Sequence, residues 1–254
     1  MVDGAGDASL AQAGAFVVVG GSGGIGSAIA RRLALRGALL VLAARESARL
    51  EQVAGSLGAV CEPIDATDFD AVERLLKGAA ERFGRVAGVV NAVGSIMLRP
   101  AHLTSPDDFH ETIARNLTTA FAVVRAAGKV MTGGGSVLLF STVAAQVGLP
   151  NHDAIAAAKG GVSALARSSA ATYASRGLRV NAIAPGLVDT PLAARLTSNP
   201  RSLEASRAMH PLGRIGTVDD IAAAACWLLD PATSWVTGQV LSVDGGLSTV
   251  RGMA

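Results

Sequence analysis

Seven short apolar runs recur along the chain, separated by segments long enough to hold a helix: Phe16–Val19, Leu39–Ala43, Val60–Ile64, Val86–Asn91, Ser136–Phe140, Arg179–Ile183 and Gln239–Val243. Runs that are apolar almost throughout belong to strands buried on both faces, whereas a half-exposed strand would alternate. Spacers of helical length are crossovers, each expected to be right-handed. The pattern predicts an α/β fold, a doubly wound seven-stranded parallel sheet of Rossmann type. At 254 residues, one domain suffices for such a sheet. Residues 1–14 read as a flexible N-terminus and 15–254 as the domain. Within it, the stretch from Leu187 to Gly213 is the least regular, rich in Thr, Ser, Asn and Pro, and is the expected lid.

Composition removes several classes of function. Half of the residues are hydrophobic, 17% are charged and the net charge is +2. No basic run could neutralise a phosphate backbone, so nucleic acid is not an expected partner. The longest apolar stretch, Ile221 to Leu229, is bracketed by Asp220 and Asp230 and is too short to span a bilayer. The first residues carry Asp3 and Asp7 and read as no secretory signal. Cys61 and Cys226 lack metal-ligand spacing and read as reduced thiols, which fits a cytoplasmic protein. His102, His110 and His210 are scattered, so no metal site is expected.

The first strand runs directly into Gly20-Gly21-Ser22-Gly23-Gly24-Ile25-Gly26, and a helix-patterned segment, Ser27 to Arg36, follows. Glycines let the backbone approach a pyrophosphate closely, and the amides at a helix N-terminus meet its charge. A nicotinamide dinucleotide is the expected ligand. An NAD site carries an acidic residue at the end of the second strand, but this chain has Ala43-Ala44-Arg45. The Arg45 guanidinium would pair with a ribose phosphate, so NADP(H) is favoured, with NAD(H) possible. Asp65, after the third strand, would accept from the adenine amino group or simply form a turn.

From about Gly14 to Val250 the chain resembles the short-chain dehydrogenases/reductases. Gly20, Gly24 and Gly26 match that family's T-G-x-x-x-G-x-G turn, with Val19 in place of Thr. Asn91-Ala92-Val93-Gly94 is similar to its N-N-A-G motif, Asn116 matches its helix asparagine, and Asp244-Gly245-Gly246 matches its C-terminal signature. Arg179-Val180-Asn181-Ala182-Ile183-Ala184-Pro185-Gly186 resembles the segment before the nicotinamide. The resemblance implies a cofactor site built from Gly20, Ser22, Gly24, Ile25, Gly26, Arg45, Asp65, Asn91, Gly94, Lys159, Pro185, Gly186, Val188 and Thr190. It also implies packing of the Ala-rich helices around Asp107–Val130 and Ala154–Ser175 into a homotetramer or dimer.

In that family a Ser polarises the substrate carbonyl, a Tyr transfers the proton, and a Lys binds the ribose and lowers the Tyr pKa. An Asn holds a water linked to the Lys. Here Lys159 and Asn116 are present, the Ser position falls on Thr142 with Ser141 beside it, and the Tyr position is Ile155. Two explanations compete. In the enoyl-reductase branch the tyrosine lies farther upstream, as Y-x-x-M-x-x-x-K, and Pro150 to Ile155 resembles that pattern with His152 for Tyr. His152, Ile155 and Lys159 would share one helical stripe whose ends lie roughly 10 Å apart along the axis. Alternatively, redox turnover is lost and the protein is a nicotinamide-binding subunit, or a dehydratase or isomerase on the same scaffold. The first reading is an NADPH-dependent reductase of a carbonyl or a carbonyl-conjugated double bond. Tyr173, the sole tyrosine, is too far along its helix to serve Lys159 and is expected in the core or at a subunit contact.

Overall fold

The computed structural model describes residues 10–251, apart from the Ser47 side chain. The strands are β1 (Ala15–Val19), β2 (Leu39–Ala44), β3 (Val60–Pro63), β4 (Val86–Asn91), β5 (Gly135–Phe140), β6 (Leu178–Pro185) and β7 (Val240–Val243). The helices are α1 (Gly24–Ala34), α2 (Ser47–Leu57), α3 (Phe69–Phe83), α4 (Pro106–Ile113), α5 (Thr119–Val130), α6 (Asp153–Tyr173), α7 (Ala194–Thr197), α8 (Pro200–Met209) and α9 (Val218–Leu229). All seven strands are parallel, in the order β3-β2-β1-β4-β5-β6-β7. The expected doubly wound sheet is present. The winding direction reverses between β1 and β4, which opens a crevice at the strands' C-terminal edge, where ligands of such sheets bind.

Because successive side chains of a strand point to opposite faces, one apolar run feeds two cores. Ala15, Val17 and Val19 pack with α3, α5 and α6, while Phe16 and Val18 pack with α1, α2 and α9. Each fully buried Val or Leu contributes about 1.5–3 kcal/mol relative to exposure, so continuous apolarity stabilises both layers at once. Small residues set the spacing on the α5–α6 side: Tyr173 lies against Gly128 of α5, where a Cβ would come 2.6 Å from its hydroxyl. The sole tyrosine is thus packing material, far from the lysine on its own helix.

Three expectations change. Of the N-terminal stretch expected to be flexible, residues 1–9 lie outside the described residues. Leu10–Ala13, however, form a 3-10 turn. Leu10 is buried in the α1-side core and its amide donates to the Arg36 carbonyl (3.1 Å), so the folded unit begins before residue 15. The helix expected over Asp107–Val130 is interrupted by a π-turn, Ala114–Thr118. The irregular stretch from Leu187 to Gly213 is largely helical, holding a 3-10 turn at Pro191–Ala193, then α7 and α8. Its Thr, Asn and Pro residues are helix starts. Thr190 Oγ1 accepts from the Ala193 amide, Asn199 Oδ1 accepts from the Arg201 and Ser202 amides, and Pro191 and Pro200 open their helices.

Candidate active site

The C-terminal ends of β1, β2, β4, β5 and β6 converge on one cleft. Its first part, about 560 Å³, is lined by Gly20, Ser22, Gly24, Ile25, Gly26, Arg45, Asp65 and Thr190, among others. Its second part, about 170 Å³, is lined by Asn116, Ser141, Thr142, Ile155, Lys159, Pro185, Gly186 and Val188, among others. Ile25, Ala92, Val93, Gly94, Thr190 and Leu192 line both, so the two are one continuous trough. A hollow of about 810 Å³ between β3 and α3 carries the exposed charges Glu62, Asp65, Arg74, Glu81 and Arg82, and its lining does not include the Gly20–Gly26 turn.

The glycine turn has the form a phosphate needs. Gly20 has φ +84°, which an L side chain rarely adopts, and its carbonyl comes so near Gly26 that a Cβ there would lie 2.2 Å away. The chain thereby turns straight from β1 into α1, whose first amides have no partners within the helix and carry the positive end of its dipole. A Cβ on Gly24 would meet Thr190 at 3.2 Å, so the opposite wall closes on bare backbone. These features fit a dinucleotide whose pyrophosphate lies over Gly20–Gly26. Arg45 is exposed at the end of β2 on the same trough. Asp65 Oδ1 is engaged by the Thr67 amide (2.9 Å) and hydroxyl (2.8 Å), the turn-forming role. Those bonds, with Arg45 and Arg115 adding, hold its carboxyl below the usual carboxylate range.

At the other end, Lys159 is buried on α6 and Nζ donates to the Phe140 carbonyl (2.8 Å) at the end of β5. Burial away from water pushes its ammonium down to about 8. Asn116 sits in the π-turn, where an extra residue in the turn redirects a side chain. Its Oδ1 accepts from the Ser95 amide (3.1 Å), and Nδ2 donates to Ser95 Oγ (2.9 Å) and to the Thr112 carbonyl (2.9 Å). A Cβ on Gly94 would lie 3.0 Å from Asn116 Oδ1 and 3.5 Å from Lys159 Nζ, so both side chains close over that glycine. Ser95 lines the trough and braces Asn116; its place directly after Gly94 is the one sequence signal that could have found it.

The two hydroxyls after β5 separate by function. Ser141 Oγ donates to the Lys159 carbonyl (3.0 Å) and lies 2.7 Å from Ser163 Oγ, tying β5 to α6. Ser163, another residue missed from sequence, stands one turn beyond Lys159. Thr142 Oγ1 accepts from the Ala144 amide (3.3 Å) as the cap of a short turn, which leaves its proton free to donate into the trough.

Two expected site residues stand elsewhere. His152 is not among the residues lining either part of the trough. It precedes α6 with non-helical angles (φ −102°, ψ 13°), so the stripe with Ile155 and Lys159 does not extend to it, and its Nδ1 lies 2.7 Å from the Pro150 carbonyl. Ile155 lines the wall instead. Asn91 lies behind the trough, with Nδ2 donating to Thr119 Oγ1 (3.1 Å) and Oδ1 accepting from the Val93 amide (3.3 Å). It shapes the turn carrying Gly94 and does not line the cleft. Of the charged residues between Leu187 and Gly213, Arg195, Arg201, Glu204 and Arg207 do not line the trough either.

Residues 19–248 match the family model described as enoyl-(acyl carrier protein) reductase. The chain belongs to the short-chain dehydrogenase/reductase family. It is 38% identical over 242 residues to cis-4-hydroxycyclohexanecarboxylate dehydrogenase of Sinomonas cyclohexanicum, covering 92% of this chain and 96% of that protein. It is 36% identical over 230 residues to the protein named inactive 2-(S)-hydroxypropyl-CoM dehydrogenase 2 of Xanthobacter autotrophicus, covering 87% of this chain and all of that one. Among solved structures, levodione reductase superposes with a TM-score of 0.89 at 31% identity, over 94% of this chain and 99% of that one. A short-chain dehydrogenase/reductase from Mycobacterium ulcerans gives 0.90 at 31% identity, over 94% and 91%. As a member of this family the chain is an oxidoreductase of the nicotinamide-dependent kind, built as a single Rossmann-type domain.

Proposed function

We propose that the protein is an NADP(H)-dependent reductase of an apolar carbonyl compound, or of a double bond conjugated to a carbonyl, acting as a cytoplasmic homo-oligomer. The observation that carries this reading is the continuous trough from the Gly20–Gly26 turn to Lys159 and Thr142. When bound, the cofactor supplies hydride chemistry. Gly20 to Gly26 hold its pyrophosphate, Arg45 its ribose phosphate, Asp65 its adenine through the free Oδ2, and Lys159 with Asn116 and Gly94 the second ribose. Gly186, Val188 and Thr190 border the nicotinamide half. Among the described residues lining the reaction end, Lys159 is the ionisable one, and Ile96, Ile155, Leu187 and Leu192 make its walls apolar, which suits an alicyclic ketone. The relative named for cis-4-hydroxycyclohexanecarboxylate shares the cyclohexane ring but adds a carboxylate, so it supports the ring and not the absence of charge.

Thr142 polarises the substrate carbonyl by donating its free hydroxyl proton. With Ile155 in the tyrosine's place, the proton that the reduced oxygen needs comes from Lys159 Nζ, the ionisable group among the described residues lining that half of the trough. A second reading, a dinucleotide-binding subunit without turnover, is favoured by the Ile155 side chain itself and by the relative whose name calls it inactive.

One titration separates them. Purified protein is mixed with NADPH or NADH and then with cyclic ketones and enones, with cofactor fluorescence and absorbance followed separately. NADPH oxidation by a ketone supports the reductase, binding without oxidation supports the subunit, and no affinity for either dinucleotide overturns both. Ile155→Tyr should raise ketone reduction at least tenfold, His152→Ala should leave it within twofold, and Arg45→Asp should reverse the preference between NADPH and NADH.

A further inference from the structure

His210, just after α8 in the stretch that the sequence marks as irregular, is only 2% exposed. Both ring nitrogens are engaged. Nδ1 lies 2.6 Å from the Ser206 carbonyl, one turn back along α8, and Nε2 accepts from the Leu187 amide at 3.2 Å. A carbonyl only accepts and an amide N–H only donates, so these partners select the neutral ring protonated at Nδ1. The ring rests on bare backbone: a Cβ on Gly186 would lie 2.5 Å from Nε2.

Leu187 opens the helical excursion and His210 stands near its end, so one side chain ties the excursion at its neck. The Leu187 carbonyl is held as well, accepting from the Gly216 amide (2.8 Å). The residues fixed in this way, Gly186, Leu187 and Val188, are wall residues of the reaction end of the trough. Capping α8 would need only Nδ1. The bond from Nε2 instead reaches into the wall of the site.

We infer that His210 is a positioning residue: its Nε2 fixes the Leu187 amide and thereby holds the Gly186–Val188 backbone in the form that receives the nicotinamide half of the cofactor. The inference rests on reading that half of the trough as the nicotinamide site. Without the acceptor, the Leu187 amide would lose its partner, the neck would loosen, and the cost would fall on the nicotinamide end alone.

The two ring nitrogens can be tested apart. His210→Gln places an amide oxygen near the Nε2 position and keeps the acceptor for Leu187. His210→Asn places an amide nitrogen near Nδ1, keeps the bond to Ser206 and leaves Leu187 unpaired. Hydrogen exchange at the Leu187 amide is measured on cofactor-free protein, with Val180 of β6 as the control for an intact fold. Affinities are measured by calorimetry for NADPH and for 2′,5′-ADP, which lacks the nicotinamide. The expected result for the Asn variant is Leu187 exchange and an NADPH Kd both raised about tenfold, the scale of one lost hydrogen bond. Its 2′,5′-ADP affinity and Val180 exchange should be unchanged, and the Gln variant should stay near wild type. Equal behaviour of the two variants, or an unchanged NADPH Kd in the Asn variant, overturns the inference. If wild-type protein binds 2′,5′-ADP but no intact dinucleotide, the nicotinamide reading of the site falls instead, while the exchange data still report whether Nε2 holds Leu187.

Discussion

Ile155 and Lys159 face the same trough from one helix, and their pairing sets the chemistry available there. An isoleucine neither donates nor accepts a proton, and it withholds from Lys159 the hydroxyl that the family's mechanism places nearby. The ammonium is left with the Phe140 carbonyl and a value pushed down to about 8 by burial. If Nζ is the acid, ketone reduction should fall as pH rises through about 8 and alcohol oxidation should rise, which a pH series of kcat/KM checks. The same group bears on stability. Its folded-state value lies below the free-lysine value of 10.5, so between about 8 and 10.5 the unfolded chain holds more protons than the folded one. Stability contributed through this group therefore rises with pH across that window. Lys159→Met should abolish that slope and stabilise cofactor-free protein at pH 7 by about 1–3 kcal/mol, as apolar replacement of a buried charge often does. Denaturant midpoints between pH 7 and 10 measure both effects; a variant less stable than wild type at pH 7 would contradict the burial argument.

At the scale of elements, the turn from β1 into α1 was legible because its chemistry is local: glycines at fixed spacing between a β-run and a helical pattern. The structure adds the reason one of them is indispensable, the approach of Gly26 to the Gly20 carbonyl. Gly26→Ala should push α1 off its seat, cost about 1–3 kcal/mol by overpacking and abolish dinucleotide binding. A thermal melt and a fluorescence titration read the two effects. The π-turn at Asn116 was not legible, because a single extra residue in a helical turn leaves the apolar periodicity on either side almost intact. The helices between Leu187 and Gly213 were hidden for a different reason. The residues that start them, Thr190, Pro191, Asn199 and Pro200, are also the residues that mark irregular chain, and only the hydrogen bonds they make distinguish the two uses.

For the molecule as a whole, α5 and its neighbours keep an apolar surface. Phe69, Leu117, Phe121 and Leu165 line a shallow groove there, and Phe121 is about half exposed. A homo-oligomer, the tetramer or dimer implied by the family resemblance, would cover this face. Phe121→Arg would place a charge in the contact, and light scattering should then find the particle mass at least halved with the melting temperature of the subunit fold retained. A wild-type protein already monomeric at micromolar concentration would overturn the assembly reading.

Sequence alone determined the layered α/β architecture, the glycine turn after β1, and Ile155 four residues before Lys159, because each is carried by periodicity or by residues adjacent in the chain. Tertiary structure alone decided which groups meet. It set Ser141 against Ser163, turned Asn91 behind the cleft, left His152 outside it and buried His210 against the Leu187 amide. These outcomes depend on side-chain direction and on contacts between segments far apart in sequence, where one residue's rotation about a helix axis separates a wall of the cleft from its outside.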